Sequence, residues 1–426
     1  MKSFLRSERL HRLSKEGLWV VFGQATAVIG SLIGVRILTG LLDPTAYGEL
    51  VLGMTVATLI NQAVFGPLGN GVTRFYAPAV EKRDFDGYLN AVLRLVLSAT
   101  GVVILILLLM AAGLLIAGRT EWIAITTVAL IFAILSGYNS ILSGVQNAAR
   151  QRSIVALHQG IDPWVRFLVA AGLMIFLGAT STMAMVGYAM AAMLLLCSQY
   201  VFFRKVVPKY ISVADKERNW SAEIWKYSWP FATWGIFTWI QLSSDRWALN
   251  FFSTTQNVGL YGVLFQLGYY PISMAAGMAM QFLTPIFYQQ AGSANDNRRN
   301  TNVNSLSWRL TGFTLGATFI TFLAAFLFHA QIFRIFAAKE YASISYLLPW
   351  MFLAGGVFAA GQAITLNLQS QMKTRVIMTA KIITALLGVI FNFAGAYWYG
   401  ITGIVIAGVF FSAVYFIWMA ALSKYN

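Results

Sequence analysis

Charge is scarce in this chain. Asp, Glu, Lys and Arg make up 11% of its 426 residues while hydrophobic residues make up 58%, against roughly 25% charged in an ordinary soluble domain. With a mean hydropathy of +0.68, a soluble globular fold is excluded. Cysteine is nearly absent: Cys197 is alone, which excludes an intramolecular disulfide and a cysteine-based metal centre. The 3 His and 15 acidic residues form neither HExxH nor any dense ligand cluster, and no GxxxxGK[ST] loop is present. A metal site and a P-loop ATPase are therefore not expected, and no cofactor is called for.

What the chain has is long apolar runs. A hydrocarbon core of about 30 Å takes roughly 20 apolar residues per helix, and such runs recur near 17–42, 49–73, 88–117, 122–147, 154–178, 182–203, 225–252, 258–289, 306–336, 343–370, 376–398 and 401–422. The second, eighth and tenth are diluted by Gly, Pro, Asn and Gln. The fold class expected is an all-α polytopic membrane protein with twelve transmembrane helices. The first run, Leu18 to Leu42, exceeds a signal-peptide core and is expected to be retained.

The net charge of +15 is an orientation signal, so no nucleic-acid partner is inferred. Of the 30 Lys and Arg residues, 23 fall in one set of alternating segments and only Arg119, Arg334 and Lys339 in the other. The positive-inside rule puts both termini in the cytoplasm. The longest hydrophilic segment, Arg204 to Ser228, separates residues 1–210 from 211–426, six helices each. The halves echo one another: DPTAYGEL (Asp43 to Leu50) matches NVGLYGVL (Asn257 to Leu264), with Tyr47-Gly48 over Tyr261-Gly262 at an offset of 214. GVQNAARQRS (Gly144 to Ser153) likewise matches NLQSQMKTRV (Asn367 to Val376). Even-numbered halves give parallel repeats, an arrangement that encloses a central cavity and suits alternating access.

Four arginines belong to neither set and lie within the apolar runs: Arg36, Arg94, Arg166 and Arg246. A charge at mid-bilayer costs several kcal/mol, so it faces a cavity or a partner. Arg94, near a helix end, can snorkel to the interface. His158, Asp162 and Arg166 follow at i, i+4, i+8, forming one stripe beside Pro163, where a kink is expected. Two readings fit the stripe: a self-neutralising Asp162–Arg166 pair, or a polar cavity face with Arg166 about 18 Å above the cytoplasmic end. The second is preferred. Asp245 and Arg246 are about 100° apart around their helix and are not expected to point the same way: one pairs with a neighbouring helix while the other faces the lumen, and the preferred reading has Arg246 facing a wet, basic cavity while Asp245 helps to hold it. Three arginines against two acids predict a net positive cavity and an anionic substrate such as a diphosphate, which arginine grips with a bidentate fork. His329 reads as interfacial, and Gln266, Tyr269, Tyr270 and Gln281 on the eighth helix are candidates for contact with a sugar.

RILTGLLDPTAYGEL (Arg36 to Leu50), the stretch Trp229 to Val263, QFLTPIFY (Gln281 to Tyr288) and the basic ends at Arg150 to Arg152 and Lys373 to Arg375 resemble the polysaccharide transporter branch of the multidrug/oligosaccharidyl-lipid/polysaccharide (MOP) flippase superfamily, over nearly the whole chain. The resemblance implies two six-helix bundles in a V around a central cavity in a bacterial inner membrane. It also implies flipping of undecaprenyl-diphosphate-linked sugar units to the periplasmic leaflet, with Arg36, Arg166 and Arg246 on the diphosphate. Partners would be that lipid-linked oligosaccharide, membrane lipids and polysaccharide polymerase machinery. Peptidoglycan-precursor flippases of the superfamily usually carry two further helices, so an O-antigen or exopolysaccharide unit is the expected cargo. Two other functions stay open: a multidrug and toxin exporter coupled to H⁺ or Na⁺, which needs unpaired acids for its cations, and a non-transporting scaffold of a polymerase complex. Where an ion is coupled, Asp162 with His158 is the first candidate for the proton site, with Asp245 as a supporting or proton-coupling residue.

Overall fold

A computed structural model describes residues 2–205, 219–291, 297–371 and 374–425. The bases Lys209, Lys216, Arg218 and Lys373 and the expected boundary at 210/211 lie outside the described residues, as do the side chains of Gln281 and Arg375. Among the described residues the chain is helical throughout, with no strand. The helices are α1 (Lys2–Leu41), α2 (Pro44–Glu81), α3 (Phe85–Ile116), α4 (Glu121–Ala148), α5 (Arg152–Leu177) and α6 (Ser181–Phe203). They continue as α7 (Trp220–Phe252), α8 (255–291), α9 (Asn297–Phe336), α10 (Lys339–Ser370), α11 (374–399) and α12 (401–425).

These twelve rods correspond one for one to the apolar runs. Local chemistry sets their ends. Asp43 Oδ1 accepts the amides of Thr45 (2.7 Å) and Ala46 (3.0 Å) at the start of α2, and Thr254 accepts that of Asn257 (3.2 Å) at the start of α8; both are N-caps that answer otherwise orphaned donors. Gly400, at φ +56° and ψ −129°, breaks α11 from α12 in a conformation that only glycine adopts without strain. Pro163 leaves α5 unbroken from Arg152 to Leu177.

Nine stretches among the described residues are long and apolar enough to cross a membrane, with α11 and α12 counted as one. α7 is not among them, because Trp, Ser, Gln and Asp lower its hydropathy. α3 is the opposite extreme: its most apolar window has a mean hydropathy of 2.8 and is only 6% buried inside the protein, so its side chains meet lipid. The corresponding window of α10 is 67% buried, which makes α10 a packing core.

The chain gathers into two compact units, the first of Met1–Gly30 and Glu49–Trp239, the second of Ser31–Gly48 and Ile240–Asn426. α1 and α7 are each divided between them. In the first unit α1 presses Gly23 on the Ala156 carbonyl, and Trp164 Nε1 donates to the Thr26 carbonyl at 3.0 Å. The lower part of α7 lies along α2. Trp220 Nε1 donates to Asp84 Oδ2 (2.6 Å), Trp239 Nε1 donates to the Thr55 carbonyl (2.7 Å), and Gly235 sits on the Gln62 carbonyl.

In the second unit the end of α1 is tied to the α9–α10 turn. Arg36 donates to the Ala337 carbonyl, the Ala338 amide donates to Thr39 Oγ1 (3.1 Å), and Tyr341 Oη donates to the Leu42 carbonyl (2.8 Å). The starts of α2 and α8 cross there with reciprocal contacts: a Cβ on Gly48 would overlap the Thr255 carbonyl, and one on Gly259 the Pro44 carbonyl, each 2.9 Å from the other's amide nitrogen. This pairs 44 with 255 and 48 with 259, an offset of 211 rather than the 214 read from the Tyr-Gly match. The two tyrosines also differ: Tyr47 packs edge-on against Tyr341, whereas Tyr261 bonds Asp245.

Gly48→Ala is therefore expected to destabilise by about 1–3 kcal/mol, as overpacking does, read as a lowered Tm in detergent. Gly101→Ala, where a Cβ meets open space, should leave the Tm unchanged or raise it. Equal melting of the two variants would refute the crossing.

Candidate functional site

A polar cavity of about 480 Å³ lies inside the first unit. α2 supplies Gln62, Asn70 and Thr73, α4 supplies Ser140, Ser143 and Asn147, α5 supplies Gln159, and α7 supplies Phe231, Trp234 and Thr238. Among the described residues no ionisable side chain lines it. The wall is opened by a π-helical turn, Asn61–Phe65, in which the Gly66 amide reaches back to the Asn61 carbonyl. Such turns insert one residue into an α-helix and are frequent at functional sites. Asn61 holds the turn by donating to the Ala57 carbonyl (3.1 Å) and Ser136 Oγ (2.9 Å). Gln62 Oε1 is buried and has no donor among the described residues. Hydrogen bonds from Gln24 Nε2 to Gln159 Oε1 (3.3 Å) and from Gln199 Nε2 to Ser143 Oγ (3.0 Å) position two more of the lining residues.

Also in the first unit, Arg166 grips Asp162 through a fork, Nε to Oδ1 at 2.9 Å and Nη2 to Oδ2, with its guanidinium 5.2 Å from the centroid of the Phe132 ring. Arg166 is 29% exposed and Asp162 27%. His158 is not brought to this pair. It is buried, with Nδ1 on the Ile154 carbonyl (2.8 Å), Nε2 on Ser198 Oγ (3.0 Å) and its ring against Phe202. The expected stripe thus divides, because eight residues advance the helix by about 80° beyond whole turns.

The second unit holds a cavity of about 60 Å³ lined by Asp245, Tyr261, Phe265, Tyr269 and Asn392, among others. Asp245 accepts from Tyr261 Oη (2.7 Å), the Arg246 amide (2.8 Å) and Arg246 Nη1 (3.2 Å). Arg246 Nη1 also donates to the Leu242 carbonyl (2.6 Å), and the guanidinium lies 4.3 Å from the Phe265 ring centroid. Asp245 is thus tied both to α8, through Tyr261, and to Arg246, which it holds. A 100° step fixes where each Cβ starts, but the arginine stem curls back across one turn. The π turn Phe265–Tyr269 of α8 packs beside this cluster, and its Gln266 Oε1 is likewise buried without a donor. Arg36, the third arginine, stays at the carbonyl end of α9, where a cation also meets the negative helix terminus. Arg94 is exposed, and His329 Nδ1 pairs with Ser345 Oγ at 3.0 Å.

A family model described as polysaccharide biosynthesis protein matches residues 12–291. The chain belongs to the polysaccharide biosynthesis protein family. No curated protein matches this family member's sequence. Among solved structures it is similar to an inward-facing multidrug resistance MATE family transporter of the MOP superfamily, with a TM-score of 0.70 and 15% identity over 95% of this chain and 98% of that one. It is also similar to the lipid II flippase MurJ in an inward closed conformation, with a TM-score of 0.71 and 13% identity over 96% and 87%. A MOP superfamily transporter from Pyrococcus furiosus shares the fold at a TM-score of 0.55 and 15% identity over 96% and 94%. At such identities the likeness is one of fold. This polysaccharide biosynthesis protein thus has the MOP transporter fold, as the resemblance in its sequence implies.

Following the mid-helix charges finds the Asp162–Arg166 and Asp245–Arg246 pairs of this family member but misses the neutral cavity. Its signal is present as the Asn, Gln, Gly and Pro that dilute the second apolar run. Asp245 with Arg246 is the more enclosed pair, at 11% and 12% exposure. Asp245→Ala leaves a buried guanidinium and the Tyr261 hydroxyl unanswered and is expected to cost about 3–5 kcal/mol, visible as a lower Tm in detergent than that of Asp162→Ala. The reverse order would show that Asp245 does not hold Arg246. In a double-mutant cycle, Asp245→Asn and Tyr261→Phe should couple by about 0.5–3 kcal/mol.

Proposed function

We propose that this polysaccharide biosynthesis protein is a flippase. It carries undecaprenyl-diphosphate-linked oligosaccharide, an O-antigen or exopolysaccharide repeat unit, from the cytoplasmic to the periplasmic leaflet of the inner membrane by alternating access. The family match over residues 12–291 carries the reading, and the fold shared with a lipid II flippase supports it. Arg36, Arg166 and Arg246 are the candidates for the diphosphate. A guanidinium has five N–H donors, and Asp162 engages Arg166 through two nitrogens only, so the partly exposed fork keeps donors for a phosphate oxygen. The same pairs weigh against a cation exporter, because Asp162 and Asp245 each already answer an arginine. The protein catalyses no covalent chemistry under this reading. The drive is an H⁺ or Na⁺ gradient or the gradient of the cargo, with Asp162 as the first candidate for a coupling group.

The test is flipping of a fluorescent undecaprenyl-diphosphate oligosaccharide in proteoliposomes at matched insertion. The wild type should flip it, and Arg166→Ala and Arg246→Ala should lose about tenfold or more, the scale of one lost charge-assisted contact in a dry site. Arg166→Lys should restore only part, since an ammonium cannot fork. Unchanged flipping in both alanine variants would make the arginines structural. An inactive wild type that instead expels organic cations would favour the exporter.

A further inference from the structure

The neutral cavity of the first unit has no part in gripping a diphosphate, yet it is a polar space of about 480 Å³ within the described helices. We propose that it is a saccharide subsite that binds neutral hexose or N-acetylhexosamine rings of the cargo, with Trp234 as the stacking platform and the amides of Gln62, Asn70 and Asn147 reading hydroxyl groups. The proposal rests on the flippase reading and assigns a place to the sugar.

Three observations carry it. First, polar side chains on membrane helices face a cavity or a partner, and this group converges from α2, α4, α5 and α7 on one space of about 480 Å³. That volume is in the range of small-molecule sites, roughly 300–1,000 Å³. Second, the lining is chemically one-sided. With no ionisable group among the described residues that line it, it offers a phosphate no counter-charge and an organic cation no anion. Each carboxamide presents a donor beside an acceptor, the pairing that adjacent sugar hydroxyls require. Trp234 and Phe231, 37% and 39% exposed, add apolar faces for the C–H side of a pyranose ring. Third, Gln62 Oε1 is buried in the π turn without a donor, and Gly235 pressed on the Gln62 carbonyl fixes that turn against α7. A buried acceptor with no answer in the protein alone favours the state in which a ligand hydroxyl supplies one.

The experiment measures affinities of the full-length protein in nanodiscs for two probes: undecaprenyl diphosphate, and the same lipid carrying a neutral trisaccharide of hexose and N-acetylglucosamine. The wild type is expected to bind the glycan-bearing probe at least about tenfold more tightly. Trp234→Ala and Gln62→Leu should each cut that advantage by about three- to tenfold without weakening the bare lipid, which this cavity does not touch. Trp234→Phe should keep most of it. A wild-type advantage that survives in these variants places the glycan elsewhere and overturns the inference while the flippase reading stands. So does equal wild-type affinity for both probes. Binding of neither probe would sink the flippase reading and this inference together. Should Trp234→Ala lose both probes through misfolding, the exposed Asn147→Ala decides: an unchanged ratio overturns the proposal, and a ratio lowered by about threefold supports it.

Discussion

Hydrocarbon offers no partner to a hydrogen-bonding group, and the placing of nearly every polar side chain in this protein follows from that. The backbone answers by being helical throughout. The side chains have two answers. One is local closure: Arg166 with Asp162, Arg246 with Asp245 and Tyr261, and Arg36 on the Ala337 carbonyl. The other is convergence, in which uncharged groups too weak to need a counter-ion turn inward together and make room for water or a ligand. α7 depends on both. Its lower part brings Trp234 and Thr238 to the large cavity, its upper part brings Asp245 to the small one, and its hydropathy is low for that reason.

How much of this is legible in the sequence depends on whether a feature belongs to one residue or to a relation between helices. Twelve apolar runs yield twelve rods, because the burial of each run is decided by its own composition. Even the break at Gly400 falls in the gap left between the last two runs. The mid-helix charges are equally visible, since their cost in lipid attaches to the residue. The partner of a charge is less so: that Asp245 holds Arg246 can be read from the sequence, but that it also answers Tyr261 on α8 cannot. Register between the halves is set by where backbones touch. The Gly48–Gly259 crossing uses small residues of weak sequence signal, whereas the more conspicuous Tyr47 and Tyr261 have different partners. Least visible is the neutral cavity. Asn61 and Gln62 look like impurities in an apolar run, and a π turn is marked by no residue type.

The two kinds of site differ in how they would act on a cargo that must be released as well as held. An arginine fully committed to a phosphate binds tightly and lets go slowly. One already forked on a carboxylate binds an anion only by the difference between two strong interactions, so its affinity is moderated while its position is fixed. Transport needs binding strong enough to enter and weak enough to leave, and the Asp162–Arg166 and Asp245–Arg246 pairs have that character under the flippase reading. Amides and an aromatic face reach the same end by another route: each contact is modest, none carries charge, and selectivity comes from matching several hydroxyl positions at once. Charge pairs that temper the grip on a diphosphate and a neutral cavity that could read its sugar would together make recognition depend on both parts of a lipid-linked saccharide, without either part being held too firmly to release.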